Sequence, residues 1–217
     1  KQNNEKSKAN LTWLRDNTTA HIHADLIFGL PGETLDTFRD SFNQLYVCRP
    51  HEIQMGILKR LKGSPIIRHT EDFDLRFNPL PPFNILSNDL VDFTTMQRIN
   101  RFARYWDMIG NSGRFKYSLP QMLIDNPFDE FLTITDWIFA KTGQTHQINL
   151  KKLYEYVAQA VEELYPERYE SLVKELEKDY ADSKLKGNFL RLELSASNQT
   201  EKASHQRRSV RQQRHLG

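Results

Sequence analysis

His21, His23, Asp25 and Ile27 alternate along an otherwise apolar stretch. On an extended strand they share one face, while Ile22, Ala24, Leu26 and Phe28 share the other and would pack against helices. Two imidazoles two positions apart can converge on one metal ion, with Asp25 as an oxygen ligand. The same row can equally be solvated or hydrogen-bonded histidines at the start of a strand. A catalytic zinc would need a further ligand, and His51, His69, His146, His205 and His215 fall in no recognisable ligand spacing. A polar row on a parallel strand is unusual, because such strands are commonly apolar on both sides. It points to a face that lines a barrel interior or a cleft.

The elements that must position this row follow from punctuation and period. Leu11, Trp13 and Leu14 sit in a helix ending near Asp16-Asn17. Residues 21–28 form a strand stopped by Gly29-Leu30-Pro31-Gly32, where an α/β fold would place a ligand. From spacing alone that tetrapeptide is also simply a tight strand-to-helix turn. Thr34 can cap a helix striped with Leu35, Phe38, Phe42, Leu45 and Tyr46, closed by Pro50 and followed by a strand over residues 52–58. Strand, helix and strand at this length make one βαβ unit with parallel strands.

Beyond residue 62 the periods are helical, after a connector broken by Gly63, Pro65, Pro79, Pro81 and Pro82. Leu90, Phe93, Met96, Ile99, Phe102, Ala103 and Trp106 line one helix, ended by Gly110. Asn126 caps the next, with Pro127 in its first turn and Gly143 past its end. Asn149 caps a third, striped with Leu150, Leu153, Tyr154, Val157, Val161 and Leu164; Pro166 interrupts, and Tyr169, Leu172, Val173 and Leu176 resume. Leu150, Val157, Val161 and Leu164 are expected to bury against the helix carrying Phe102 and Trp106. The charge run from Lys174 to Asp179 is expected to be a solvated face. The fold class is therefore α/β followed by all-α: a partial (βα) barrel segment over 1–66, a helical domain over 67–194, and a basic tail over 195–217.

Composition bounds the function. The chain has 217 residues with 30 Lys+Arg against 28 Asp+Glu, too balanced for a chain-wide polyanion binder. Mean hydropathy is −0.67, and no stretch approaches the ~18–20 apolar residues of a membrane span. The lone Cys48 excludes an internal disulfide and any thiolate cluster built from this chain alone; a buried or half-buried thiol is expected. The polar opening Lys-Gln-Asn-Asn is unlike a signal peptide and reads as a cytoplasmic segment of a longer polypeptide. Residues 195–217 carry five basic side chains and one acidic. That tail can be a phosphate-binding arm, a solvated terminus, or a helix docked through Val210. Nucleic-acid binding is disfavoured, because no aromatics interleave with the arginines.

The run Asp25-Leu-Ile-Phe-Gly-Leu-Pro-Gly-Glu-Thr34 strongly resembles the Asp-Leu-Ile-x-Gly-Leu-Pro-Gly-x-Thr segment of radical SAM enzymes, nearest to the coproporphyrinogen-oxidase-like and cobalamin-binding branches. There it forms the fifth strand of a partial (βα)6 barrel of TIM-barrel type. Residues 52–59 and Gly63-Ser64-Pro65 resemble the sixth strand and exit loop. Residues 81–86 and 105–115 are similar, more loosely, to the helical extension of proteins labelled magnesium-protoporphyrin monomethyl ester oxidative cyclase. The resemblance implies that Asp25 binds the ribose hydroxyls of S-adenosylmethionine, Ile27 contacts adenine, the Gly29 turn closes beside the cofactor, and backbone at Leu58 and Lys59 borders the adenine edge. The family's Cys-x3-Cys-x2-Cys is missing, so the [4Fe–4S] cluster, and any cobalamin, would be bound by upstream regions. The expected partners are that N-terminal remainder and a small-molecule substrate, with this fragment inactive by itself and its cut strands prone to self-association.

Two other functions remain open from the residues themselves. One is a metal-dependent hydrolase using His21, His23 and Asp25. The other is a non-catalytic helical binding module with a basic RNA-binding tail.

Overall fold

The computed structural model describes residues 4–185, so the expectations for the basic tail lie outside the described residues. Helix α1 (Asn4–Asn17) leads into strand β1 (His23–Phe28), helix α2 (Leu35–Val47) and strand β2 (Glu52–Ile57). The two strands pair in parallel, His23 opposite Glu52 and Ile27 opposite Gly56, as the βαβ spacing requires. Thr34 caps α2 as expected: its hydroxyl accepts from the Thr37 amide, and the Thr37 hydroxyl accepts from the Thr34 amide.

The connector is more ordered than its prolines suggest. A short 3-10 helix (Pro65–His69) precedes a small antiparallel pair, β3 (Arg76–Phe77) and β4 (Ile85–Ser87). Two- and three-residue strands are too short for a period-2 pattern to register. This pair runs onto the end of β2: the Ile85 amide donates to the Leu58 carbonyl at 2.8 Å and the Arg60 amide to the Phe83 carbonyl at 2.9 Å. At the other end of β2, the Asn111 side chain stands in for a strand residue. Its Oδ1 accepts from the Ile53 amide at 3.0 Å and its Nδ2 donates to the Ile53 carbonyl at 3.1 Å. The outer edge of β2, expected to be open, is thus capped at both ends.

Five α-helices follow among the described residues: α3 (Phe93–Ile109), α4 (Leu119–Met122), α5 (Pro127–Thr142), α6 (Leu150–Leu164) and α7 (Tyr169–Asp182). Asp92, Asn126 and Asn149 cap α3, α5 and α6 through their side chains, and Gly143 ends α5 in the left-handed conformation at φ 65°. Leu90 lies before α3 and Phe93 in its first turn, and both are exposed rather than in the stripe. Leu153, Val157 and Val161 are buried, but α6 packs against α5 and α7. The expected contact with the Phe102 helix is taken by α5, which lies between, and Leu150 and Leu164 stay half-buried.

One apolar core runs across the boundary expected near residue 66. Phe28 of β1 meets Phe38 of α2 at 4.8 Å between ring centroids. Phe42 of α2 meets Phe102 and Trp106 of α3 at 5.3 and 4.8 Å, and Phe102 meets Phe128 and Phe131 of α5 at 4.8 and 5.0 Å. Buried carboxylates organise the loops between the helices. Asp179, expected on a solvated face, is 2% exposed and accepts from the amides of Tyr117 and Ser118. Glu130 accepts from the amides of residues 124–126 and pairs with Arg168.

Because Phe102 touches both halves of this core, Phe102→Ala should cost ~3–5 kcal/mol and lower strand and helix stability in one cooperative transition. Urea denaturation followed by circular dichroism and by amide exchange in β1 checks this; two separate transitions would mean two cores. Leu164→Ala, only half-buried, should fall below the ~2 kcal/mol lower bound of a core leucine.

Candidate functional site

The face of the sheet turned away from α2 is open. His23, Asp25 and Ile27 are exposed on β1, and Glu52, Gln54 and Gly56 stand opposite them on β2. The reverse face carries Phe28 and Ile53 into the core. Alternation therefore separates a polar side from an apolar one, as the sequence implies. Among the described residues the Asp25 carboxylate has no hydrogen-bond or ion-pair partner. Ile27 is 45% exposed, and Leu30 beside the same cleft is exposed as well. Beside it, Gly56 presents bare backbone. A Cβ there would sit 3.7 Å from the Ile27 side chain and 3.6 Å from the Leu26 carbonyl. Gly56 lines the open face and is passed over by the sequence reading. Its signal was available, since a glycine inside a strand often marks a close approach.

Two clefts meet at Ile27. One of about 680 Å³ lies beside β1, lined by Lys8, Leu11, Asp25, Leu30 and Glu33. The other, about 910 Å³, lies between β2 and α3, lined by Gly56, Leu58, Lys59, Asn100, Arg104 and Asp107. Asp25 and Ile27 thus share one face, with Leu58 and Lys59 beyond Gly56 on the far side of Ile27. The Leu58 backbone is occupied, however: its amide donates to the Phe28 carbonyl at 2.9 Å, and its carbonyl accepts from Ile85. Lys59 is bridged to Asn84, its side chain exposed.

Gly29 is buried, at φ 93°, and a Cβ on it would lie 2.8 Å from Ile85 Cγ2 and 3.1 Å from Met96 Cε. Its glycine is required by the turn and by close packing of β4 and α3. Its amide donates to Glu33 Oε2 at 3.0 Å, so Glu33 folds back to brace the turn that carries it. Burial pushes the Glu33 carboxyl above its ordinary 4.5, while the Gly29 and Leu30 amides pull the other way.

The histidines form a second group at the amino end of the sheet. His21 Nε2 and His23 Nδ1 lie 3.1 and 3.2 Å from the two carboxylate oxygens of Glu52. The expected third member, Asp25, is not in the cluster; Glu52 takes its place because β2 begins opposite His23. Only the strand register brings Glu52 there. His51 stacks on His21 at 4.6 Å and accepts from the Ile22 amide through Nδ1 at 2.9 Å. Desolvation, then the Arg15 guanidinium, hold its ring below the ordinary 6.5.

The raised Glu33 carboxyl has a definite sign. The folded chain holds that proton to higher pH than the unfolded chain, so the contribution to stability falls as pH rises through and above 4.5. Glu33→Gln keeps an acceptor for the Gly29 amide and removes the titration. It should melt higher than the parent at pH 7, with the difference closing below about pH 4; equal melting curves at both pH values would remove the burial effect.

No helix among the described residues is long and apolar enough to cross a membrane. Comparison with curated proteins found no match. A family profile matches residues 71–216, which takes in β3, β4 and all the helices after them and leaves Asp25, Ile27 and the histidine cluster outside the matched span. That family is DUF4080, described as a protein of unknown function, and the chain belongs to it.

Proposed function

We propose that the chain is the C-terminal part of a radical SAM enzyme of the cobalamin-binding type, related to the oxidative cyclases named above. It would contribute one wall of the S-adenosylmethionine pocket and a helical cover over the substrate. One observation carries this: an unpartnered carboxylate, Asp25, beside an exposed isoleucine and a bare glycine on the open face of a parallel pair. A carboxylate accepts from two hydroxyls at once, as a ribose diol offers. Ile27 over Gly56 makes an apolar shelf low enough for a flat ring to lie against the sheet.

The groups present fit the nucleoside end of the cofactor and not the cluster. Cys48 is a single thiol, buried, donating to the Gln44 carbonyl at 3.3 Å, so the cluster thiolates would come from elsewhere in the enzyme. Held against such a cluster, the cofactor would supply radical chemistry for hydrogen abstraction or methylation. Asp25 would hold the ribose, Ile27 and Gly56 would set the depth of the adenine, and Lys59 would border its edge by side chain rather than by Leu58 backbone. Gly29 and Glu33 would act through the turn they brace. The exposed Ile27, Leu30, Trp13 and Leu14 would then be covered by the remainder of the barrel.

In an enzyme carrying the cysteine motif, Asp25→Ala should weaken S-adenosylmethionine binding by ~1.5–3 kcal/mol, the loss typical of hydrogen bonds to a charged group. Calorimetry on the cluster-loaded protein reads this directly, and an unchanged affinity removes the ribose role. The chain without the cluster should bind the cofactor weakly or not at all.

A further inference from the structure

We propose that His21, His23 and Glu52 bind a divalent transition metal, with zinc the best fit, and that the ion clamps β1 to β2 at the amino end of the sheet. One nitrogen from each ring and one oxygen from the carboxylate lie within 4.8 Å of one another. Around a tetrahedral zinc with bonds of ~2.0–2.2 Å, donors sit roughly 3.3–3.5 Å apart. His21 Nε2 lies 3.1 Å from Oε1 of Glu52 and His23 Nδ1 lies 3.2 Å from Oε2, so both imidazoles already face the carboxylate that would supply the third ligand atom.

The donor set suits the ion. A carboxylate only accepts, so a ring nitrogen hydrogen-bonded to it is the donor, as His21 Nε2 is placed to be in one of its tautomers. A neutral imidazole can move its proton to the other ring nitrogen, and the two facing nitrogens then become ligands. With one carboxylate oxygen this makes a His2Glu set that leaves a fourth position for water. Entry is unobstructed, because the side chains of His21, His23 and Glu52 are 56%, 51% and 34% exposed.

The ligands come from separate segments held in fixed register. The Ile22 carbonyl, between the two histidines, accepts from the amides of His51 and Glu52 at 3.0 and 3.2 Å. The Ile22 amide donates to His51 Nδ1 at 2.9 Å. This backbone lattice holds the donors together before any ion arrives, which lowers the ordering cost of binding. His51 is a positioning residue, outside the cluster.

The role follows from location. Parallel α/β folds do chemistry past the carboxyl ends of their strands, and this cluster lies at the opposite end. The ion would cross-link strands and stabilise the fold rather than activate a water for hydrolysis. The inference does not depend on the cofactor reading, since it uses neither Asp25 nor Ile27.

The test is a zinc titration of the full chain after chelator stripping, by calorimetry and by thermal melting. One site of highest affinity is expected, with a rise in melting temperature on zinc addition. His21→Ala, His23→Ala and Glu52→Gln should each weaken that site by roughly tenfold or more. His69→Ala and His146→Ala should leave it unchanged. Imidazole NMR gives a readout that no variant's folding can confound: zinc should shift the ring signals of His21 and His23 in the unmutated chain. If those signals stay still, or the affinity survives the His21 and His23 substitutions, the metal is bound elsewhere and the proposal is wrong.

Discussion

The aromatic contacts that run from Phe28 to Phe38 to Phe128, where Phe42 and Phe102 join, are the constraint on which the rest of the molecule depends. Two parallel strands do not hold together in water without a layer to pack on. α2 buries their apolar face, but α2 needs a partner of its own, and α3 and α5 supply it through Phe102, Trp106, Phe128 and Phe131. The helical part is therefore the platform that keeps a fragment of sheet folded. Edge-to-face and offset ring pairs add a directional preference to the burial and lock the angle between the layers.

The same packing explains which face remains available. Because Phe28 and Ile53 of the strands are buried on the α2 side, Asp25 and Ile27 on the opposite side stay exposed, with α1 and α3 flanking them across two clefts. The edges of the sheet are treated unequally. Asn111 and the β4 segment cap the two ends of the outer edge of β2, using an amide side chain and a short antiparallel bridge. β1 has no second strand beside it among the described residues, and α1 flanks it through Leu11, packed against the core, and polar contacts such as Lys8 to Gln44.

The buried carboxylates belong to a different task. Glu130 and Asp179 each gather backbone amides of loops entering helices, satisfying donors that have no helical partner. Both sit far along the chain from the open face and hold the helical platform rigid. Asp25 is the contrast. Among the described residues it is an acid without a partner on the open face.

Much of this was legible in the chain alone, because local rules act on neighbours in sequence. The alternation over 21–28, the Thr34, Asn126 and Asn149 caps and the Gly143 stop depend on residues within a few positions of one another, and each is present as expected. The βαβ spacing likewise dictates parallel pairing. What could not be read is whatever needs two distant segments in register. Glu52 replaces Asp25 beside the histidines because the strands align His23 with Glu52. Asn111 caps an edge fifty-eight positions away. Asp179 is buried in a run that looks solvated, since two amides of residues 117–118 arrive from another element. α5 rather than α3 receives α6 because helix layering is set by the shapes of whole faces, and a stripe records that a face is apolar without recording what it will meet.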